Sequence, residues 1–168
     1  MNITLRPYQA DLYDRTRKAL ASIGPRLIVC MATGGGKTKL FVKIAQDSSA
    51  KGRAVLILSE SLAILQQIKD EIPSCKDLGY IEPGQIMVGM AQTLVRRPAI
   101  LSRLAELGRG LLVIADEAHI GTHTKVLAKL PDAFLLGFTA TPDYRKAKHL
   151  PALYQGIVVG PQPAELVG

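Results

Sequence analysis

Six short apolar bursts set the frame of this sequence: Leu27–Met31, Ala54–Leu58, Ile86–Val88, Leu111–Ile114, Phe134–Leu136 and Ile157–Val159. Each has strand length and is continuous rather than alternating, the pattern of strands covered on both faces. Between them run stretches of helical period. Tyr8–Ala21 places Leu12, Tyr13, Thr16 and Leu20 near one face, and Ser61–Ile72 repeats apolar residues at Leu62, Leu65, Ile68 and Ile72. Thr38–Ala45, Ile100–Leu107 and Thr124–Leu130 are shorter candidates. Strand alternating with helix predicts an α/β fold, a mostly parallel sheet with helices on both faces. Ligands of such sheets bind outside the carboxyl ends of the strands, so the residues that follow each burst carry the information.

Composition narrows the class. A chain of 168 residues, 48% of them hydrophobic, is long enough to bury a core as one domain. Cys30 and Cys75 are too few for a disulfide framework and too far apart for a paired metal motif. Residues 1–12 contain Arg6 and Asp11 and no apolar run, so they do not read as a signal peptide. Leu27–Ala32 and Leu111–Ala115, the longest apolar runs, fall far short of a membrane span. The expectation is a soluble, cytoplasmic domain with no membrane partner.

Polar clusters follow three of the bursts. The first is Ala32-Thr33-Gly34-Gly35-Gly36-Lys37-Thr38. Three glycines let backbone amides turn inward on a phosphate, and the following helix presents its unpaired amides and positive dipole end. Lys37 can reach β- and γ-phosphates, and the Thr38 hydroxyl can ligate magnesium. The strict pattern G-x-x-x-x-G-K-[ST] fails at one position, where Met31 replaces the first glycine. The second cluster is Ala115-Asp116-Glu117-Ala118-His119. An acid at the end of a buried strand is costly unless it binds something. Asp116 suits magnesium, Glu117 suits the polarisation of an attacking water and points elsewhere, and His119 lies beyond them. The spacing of His119 and His123 suits a helix, but no third ligand is near enough to make a metal site persuasive. The third cluster, Thr139-Ala140-Thr141-Pro142, is a polar turn stopped by proline. Ahead of them all, Leu5-Arg6-Pro7-Tyr8-Gln9 opens a helix with proline in its first turn. Gln9 offers the donor and acceptor that adenine's edge requires.

In order and spacing, these four clusters resemble the Q motif and motifs I, II and III of superfamily 2 helicases. Met31 in place of glycine is common in that family. Ser61-Leu62-Ala63-Ile64-Leu65-Gln66-Gln67 resembles motif Ia, and Val88–Leu94, with Gln92 and Thr93, resembles the next strand-end contact to nucleic acid. The resemblance is nearest to the DEAD/DEAH-box branch of restriction-enzyme motor subunits, repair translocases and phage helicases. The RNA DEAD-box group, by contrast, ends its second motif in Asp where this chain has His119. The resemblance implies a RecA-like P-loop NTPase lobe that binds ATP and magnesium and acts on DNA in preference to RNA. It implies that Arg6 and Gln9 serve nucleotide binding, with Gln9 reading adenine, while Thr33 and the backbone of Gly34, Gly35, Gly36, Lys37 and Thr38 cradle the phosphates. Thr38 and Asp116 would hold the metal, Glu117 would act as general base, and His119, Thr139 and Thr141 would couple hydrolysis to movement. Ser61, Gln66, Gln92, Thr93 and Arg96 would meet the nucleic acid.

Residues 1–160 are expected to form the core, and 161–168 the start of a connection to a second RecA-like lobe bearing arginine fingers. Nothing after Thr141 resembles such a lobe, and Arg145 is the sole arginine there. The fragment alone is therefore expected to hydrolyse ATP poorly. Two other readings compete: a protein-translocating motor, disfavoured by the absence of long inserted segments, and a non-hydrolysing nucleotide module, disfavoured by intact Lys37, Asp116 and Glu117. Charge discriminates weakly. The chain carries 21 basic against 14 acidic side chains, a net +7. Most of the excess lies in the first sixty residues, in the helices flanking the glycine run and away from the inferred strand path.

Overall fold

The computed structural model describes residues 4–31, 36–117, 121–140 and 153–160. They form a seven-stranded sheet, every pairing parallel, made of β1 (Arg26–Cys30), β2 (Ala54–Leu58), β3 (Lys76–Asp77), β4 (Ile86–Gly89), β5 (Leu111–Asp116), β6 (Phe134–Thr139) and β7 (Gly156–Val159). The strand order is β3-β4-β2-β5-β6-β1-β7. The helices are α1 (Pro7–Ser22), α2 (Lys37–Ala50), α3 (Leu62–Glu71), α4 (Ala91–Leu94), α5 (Pro98–Glu106) and α6 (Gly121–Leu127).

Continuous apolar strands are explained by two cores, one on each face. Val55 and Ile57 of β2 pack with Leu12, Phe41, Leu65 and Ile68, beneath α1, α2 and α3. Ala54, Leu56 and Leu58 of the same strand pack with Leu94, Leu101, Leu104 and Val126, beneath α4, α5 and α6. Successive strand residues face opposite sides, so both faces must be apolar when both carry helices. In the first core Phe41 of α2 meets Phe138 of β6 edge-to-face, with ring centroids 5.5 Å apart, one of the favoured aromatic geometries.

Local chemistry sets the helix starts. Pro7 begins α1 at a position where a missing N–H costs nothing, and the Gln9 side chain reaches back to accept the Arg6 N–H at 2.8 Å. Ser61 caps α3 by accepting the Ile64 N–H at 3.3 Å, and Pro98 opens α5. Three differences from the expected elements have physical causes. α2 runs five residues past Ala45, because its last turns are polar and half-buried and so leave no apolar stripe. β5 and β6 continue past their aliphatic runs to Asp116 and Thr139, so these polar residues belong to the strands rather than to loops. β3 is two exposed charged residues on the sheet's edge, with no hydrophobic signature to detect.

Candidate functional site

The carboxyl ends of β2, β5, β6 and β1, neighbours in the middle of the sheet, lie side by side. β1 leads towards the glycine run, with Met31 N–H donating to Thr139 O at 2.9 Å. Gly36 then caps α2 in the left-handed conformation, φ 75° and ψ 35°. Two constraints fix glycine there. The positive φ disfavours other residues, and a Cβ would collide with Nε2 of Gln9. Gln9 is buried and donates from that same Nε2 to Gly36 O at 3.1 Å. A cavity of about 210 Å³ opens beside this contact, bounded by Arg6, Gln9, Gly36, Thr38, Lys39 and Gln67. Residues from α1, α2 and α3 thus surround one hollow at the start of α2, where unpaired amides favour an anion.

Lys37, the first residue of α2, reaches across to β5. Its ammonium lies 3.0 Å from Asp116 Oδ1 and also pairs with Glu117 Oε1. Burial by itself would lower the lysine's pKa. The hydrogen bond to Glu117 and the charge of Asp116 outweigh burial and hold it above the ordinary value, so Lys37 is a firm cation at neutral pH. Asp116 is buried, and its other oxygen accepts the Ser59 hydroxyl at 3.1 Å. Glu117 has φ 59°, a left-handed conformation that a side chain with a Cβ rarely adopts. Strand alternation would send Glu117 away from its neighbour. The left-handed turn instead brings both carboxylates onto one ammonium. A residue held in this region costs on the order of 1–3 kcal/mol, and such strain concentrates at functional sites.

The donor set fits a hydrated magnesium ion: one buried carboxylate at Asp116 and one hydroxyl at Thr38, both oxygen ligands. Among the described residues no group of three or more His, Cys, Asp or Glu could hold a metal ion. Magnesium does not need one, because it keeps waters and shares substrate phosphates. Thr139 is buried at the end of β6, between the Asp116 strand and the β1 strand. Thr33, Gly34, Gly35, His119 and Thr141 lie outside the described residues.

The expected nucleic-acid residues sit apart from this cluster but also at carboxyl strand ends, after β2 and β4, which are neighbours in the sheet. Ser61 is exposed at the start of α3, and Gln66 is exposed and donates to Asp70 at 2.9 Å. Gln92 and Arg96 are exposed and Thr93 is half-buried, in and just after α4.

Two polar residues that the motif reading passes over tie these strand ends together. Ser59 is fully buried. Its hydroxyl donates to Asp116 and accepts the Ser61 N–H at 3.2 Å, so the β5 carboxylate and the start of α3 share one side chain. Glu60 accepts the Ala91 N–H at 2.8 Å and lies 3.6 Å from His123 Nε2, linking β2, α4 and α6. The available signal was the one used elsewhere: polar residues directly after an aliphatic strand, here Leu58-Ser59-Glu60.

An all-parallel sheet with helices on both faces, and a lysine-bearing helix start facing an acidic strand end, defines a RecA-like fold. The chain belongs to the family described as type III restriction enzyme, res subunit, whose model matches residues 2–144. Solved structures agree on the fold. The UvsW helicase from bacteriophage T4 matches with TM-score 0.68 at 19% identity, covering 92% of this chain and 59% of that one. The SWI2/SNF2 ATPase core from Sulfolobus solfataricus, solved in complex with dsDNA, matches with TM-score 0.66 at 19% identity over 90% of this chain and 35% of that one. An HsdR subunit fragment of a type I restriction enzyme from Vibrio vulnificus YJ016 gives 0.65 at 20%, over 92% and 29%. The chain therefore spans from under a third to about three-fifths of the length of these relatives. No curated protein matches it. Among the described residues no helix is long and apolar enough to cross a membrane.

Proposed function

We propose that this chain is the first motor lobe of an ATP-dependent helicase or translocase acting on nucleic acid, DNA in preference to RNA. The observation that carries the reading is the Lys37 ammonium held between Asp116 and Glu117, one residue beyond the glycine that closes on Gln9. Lys37 and the start of α2 bind the phosphates, and Gln9, with Arg6, binds the base from the neighbouring hollow. Thr38 and Asp116 would hold magnesium, which when bound neutralises phosphate charge and polarises the transferred group. Glu117 orients and deprotonates the attacking water once Lys37 turns to the phosphates. Thr139 lies between the Asp116 strand and the β1 strand, a position suited to passing the state of the site along the sheet.

DNA is favoured by the family and by the dsDNA complex of the SWI2/SNF2 relative. Ser61, Gln66, Gln92, Thr93 and Arg96 line the two strand ends best placed to meet it. The core ends near residue 160, and the lobe works with a second RecA-like lobe that supplies finger arginines.

The test is ATP binding and turnover in the full-length protein, with and without duplex DNA. Glu117→Gln should keep ATP affinity and lose turnover by roughly 10²–10⁴-fold, the usual worth of a positioned base. Lys37→Ala should lose ATP binding itself. Full turnover in Glu117→Gln would remove that residue from its role. ATP turnover indifferent to every nucleic acid tried would remove the motor reading.

A further inference from the structure

A second cavity, of about 330 Å³, lies at the opposite end of α1 and α2 from the hollow beside Gln9, over the amino ends of β5 and β6. Its floor is apolar: Leu20 of α1, Ile44 of α2, Leu112 of β5 and Leu136 of β6. Its rim is cationic. Arg17 and Lys51 stand exposed on either side. The Arg53 guanidinium lies 4.3 Å from the Phe134 ring centroid, and that of Arg109 lies 5.6 Å from the same centroid. Asp47 is the acidic residue of the lining, and it is engaged by the Tyr13 hydroxyl and by Lys43, 3.3 Å away. The surplus of positive charge in the first sixty residues, which the strand path does not use, is gathered partly around this cleft.

We propose that this cleft is a docking site for an acidic segment of a partner protein that seats one aromatic or large aliphatic side chain. The floor suits an apolar side chain, because burying one on aliphatic and aromatic carbon yields most of a peptide's affinity at a groove of this size. The rim suits flanking carboxylates, since Arg17, Lys51 and Arg53 present positive charge with a single engaged acid among them. A nucleic-acid strand fits less well. Its bases stack on exposed aromatic faces, whereas the two rings here, Tyr13 and Phe134, are half-buried and already have guanidiniums against them, that of Arg17 lying 5.9 Å from the Tyr13 centroid and those of Arg53 and Arg109 against Phe134. The cleft also lies at the end of the strands away from Lys37 and Asp116, so occupancy leaves the ATP site open.

The test is binding of the capped peptide Glu-Asp-Glu-Phe-Glu-Asp-Glu, labelled with fluorescein, by anisotropy on the whole chain, with amide shifts by NMR to locate it. Three results are expected. Amides of α1 and α2 around Leu20 and Ile44 should shift. Replacing phenylalanine by alanine in the peptide should weaken binding about tenfold or more, the usual scale for an interface anchor. The double variant Arg17→Glu/Lys51→Glu, both exposed positions, should weaken it by a similar factor, with unfolding temperature checked alongside. If that variant proves unstable, salt on the unmodified chain replaces it, because affinity carried by a charged rim falls as salt rises from about 0.05 to about 0.5 M. Absence of binding would overturn the proposal. So would binding indifferent to both the phenylalanine and the charge. Displacement of the peptide from these same amides by an oligothymidylate that itself shifts them would overturn it in favour of a nucleic-acid surface.

Discussion

At the scale of single residues, two positions carry more than their type suggests. Gly36 is required by its φ of 75° and by the closeness of Gln9. Gly36→Ala should cost roughly 1–2 kcal/mol for the left-handed backbone. It should also push Gln9 from its contact, lowering ATP affinity about tenfold or more by calorimetry. An alanine variant with unchanged affinity would show that the Gln9–Gly36 contact does not shape the base pocket. Tyr13 is the other. Burial, then its hydrogen bond to Asp47, pushes its phenol from 10.0 up to about 12. The neutral phenol is thus favoured in the folded state, while the unfolded chain begins to lose this proton near pH 10. The unfolded state then binds fewer protons, so stability from Tyr13 is complete below about pH 10 and falls between about 10 and 12. Tyr13→Phe should flatten that part of an alkaline unfolding profile relative to the unmodified chain. Identical slopes would contradict the assignment.

At the scale of elements, the sheet was largely legible and its joints were not. Continuous aliphatic bursts announce strands covered on two faces, and the structure puts helices on both. The same bursts end where the aliphatic residues end, so Thr139 reads as part of a turn although it finishes β6, while Asp116, read at a strand end, is the last residue of β5 itself. Motif spacing locates Lys37, Asp116 and Glu117. It does not say that Glu117 adopts a left-handed turn, because that depends on Lys37, eighty positions away, sharing the two carboxylates. Ser59 was missed for a related reason: its place after an aliphatic strand marks it as worth attention, but its meaning comes from Asp116 on the adjacent strand. Ser59→Ala would remove the hydroxyl that steadies Asp116 and the start of α3 together. The expected loss is about 1–3 kcal/mol, the usual cost of leaving a buried charged acceptor short of a donor. Turnover should fall as well, with ATP affinity less affected. Thermal unfolding and steady-state kinetics would check the pair, and an alanine variant normal in both would show the link to be idle.

For the molecule as a whole, the chain spans from under a third to about three-fifths of the relatives it matches, and the proposed arginine fingers belong to another lobe. The 168-residue chain by itself should therefore bind ATP yet turn it over slowly. Finger arginines are worth on the order of 10³–10⁵ in rate in comparable enzymes. Brisk, DNA-stimulated turnover by this chain alone would contradict the two-lobe reading. The strand order carries one more consequence, for biosynthesis. β1, which leads into the glycine run, pairs with β6 and β7, whereas β2 finds β4 and β5. On the ribosome, at roughly 5–20 residues per second, β1 waits on the order of 5–20 s before its first neighbour is synthesised. The middle of the sheet can assemble meanwhile, leaving Leu27–Cys30, all buried in the finished fold, as an unpaired apolar strand in the nascent chain. The segment that leads into the glycine run is made early and framed late, and that interval is when this chain is most exposed to aggregation and most in need of a chaperone.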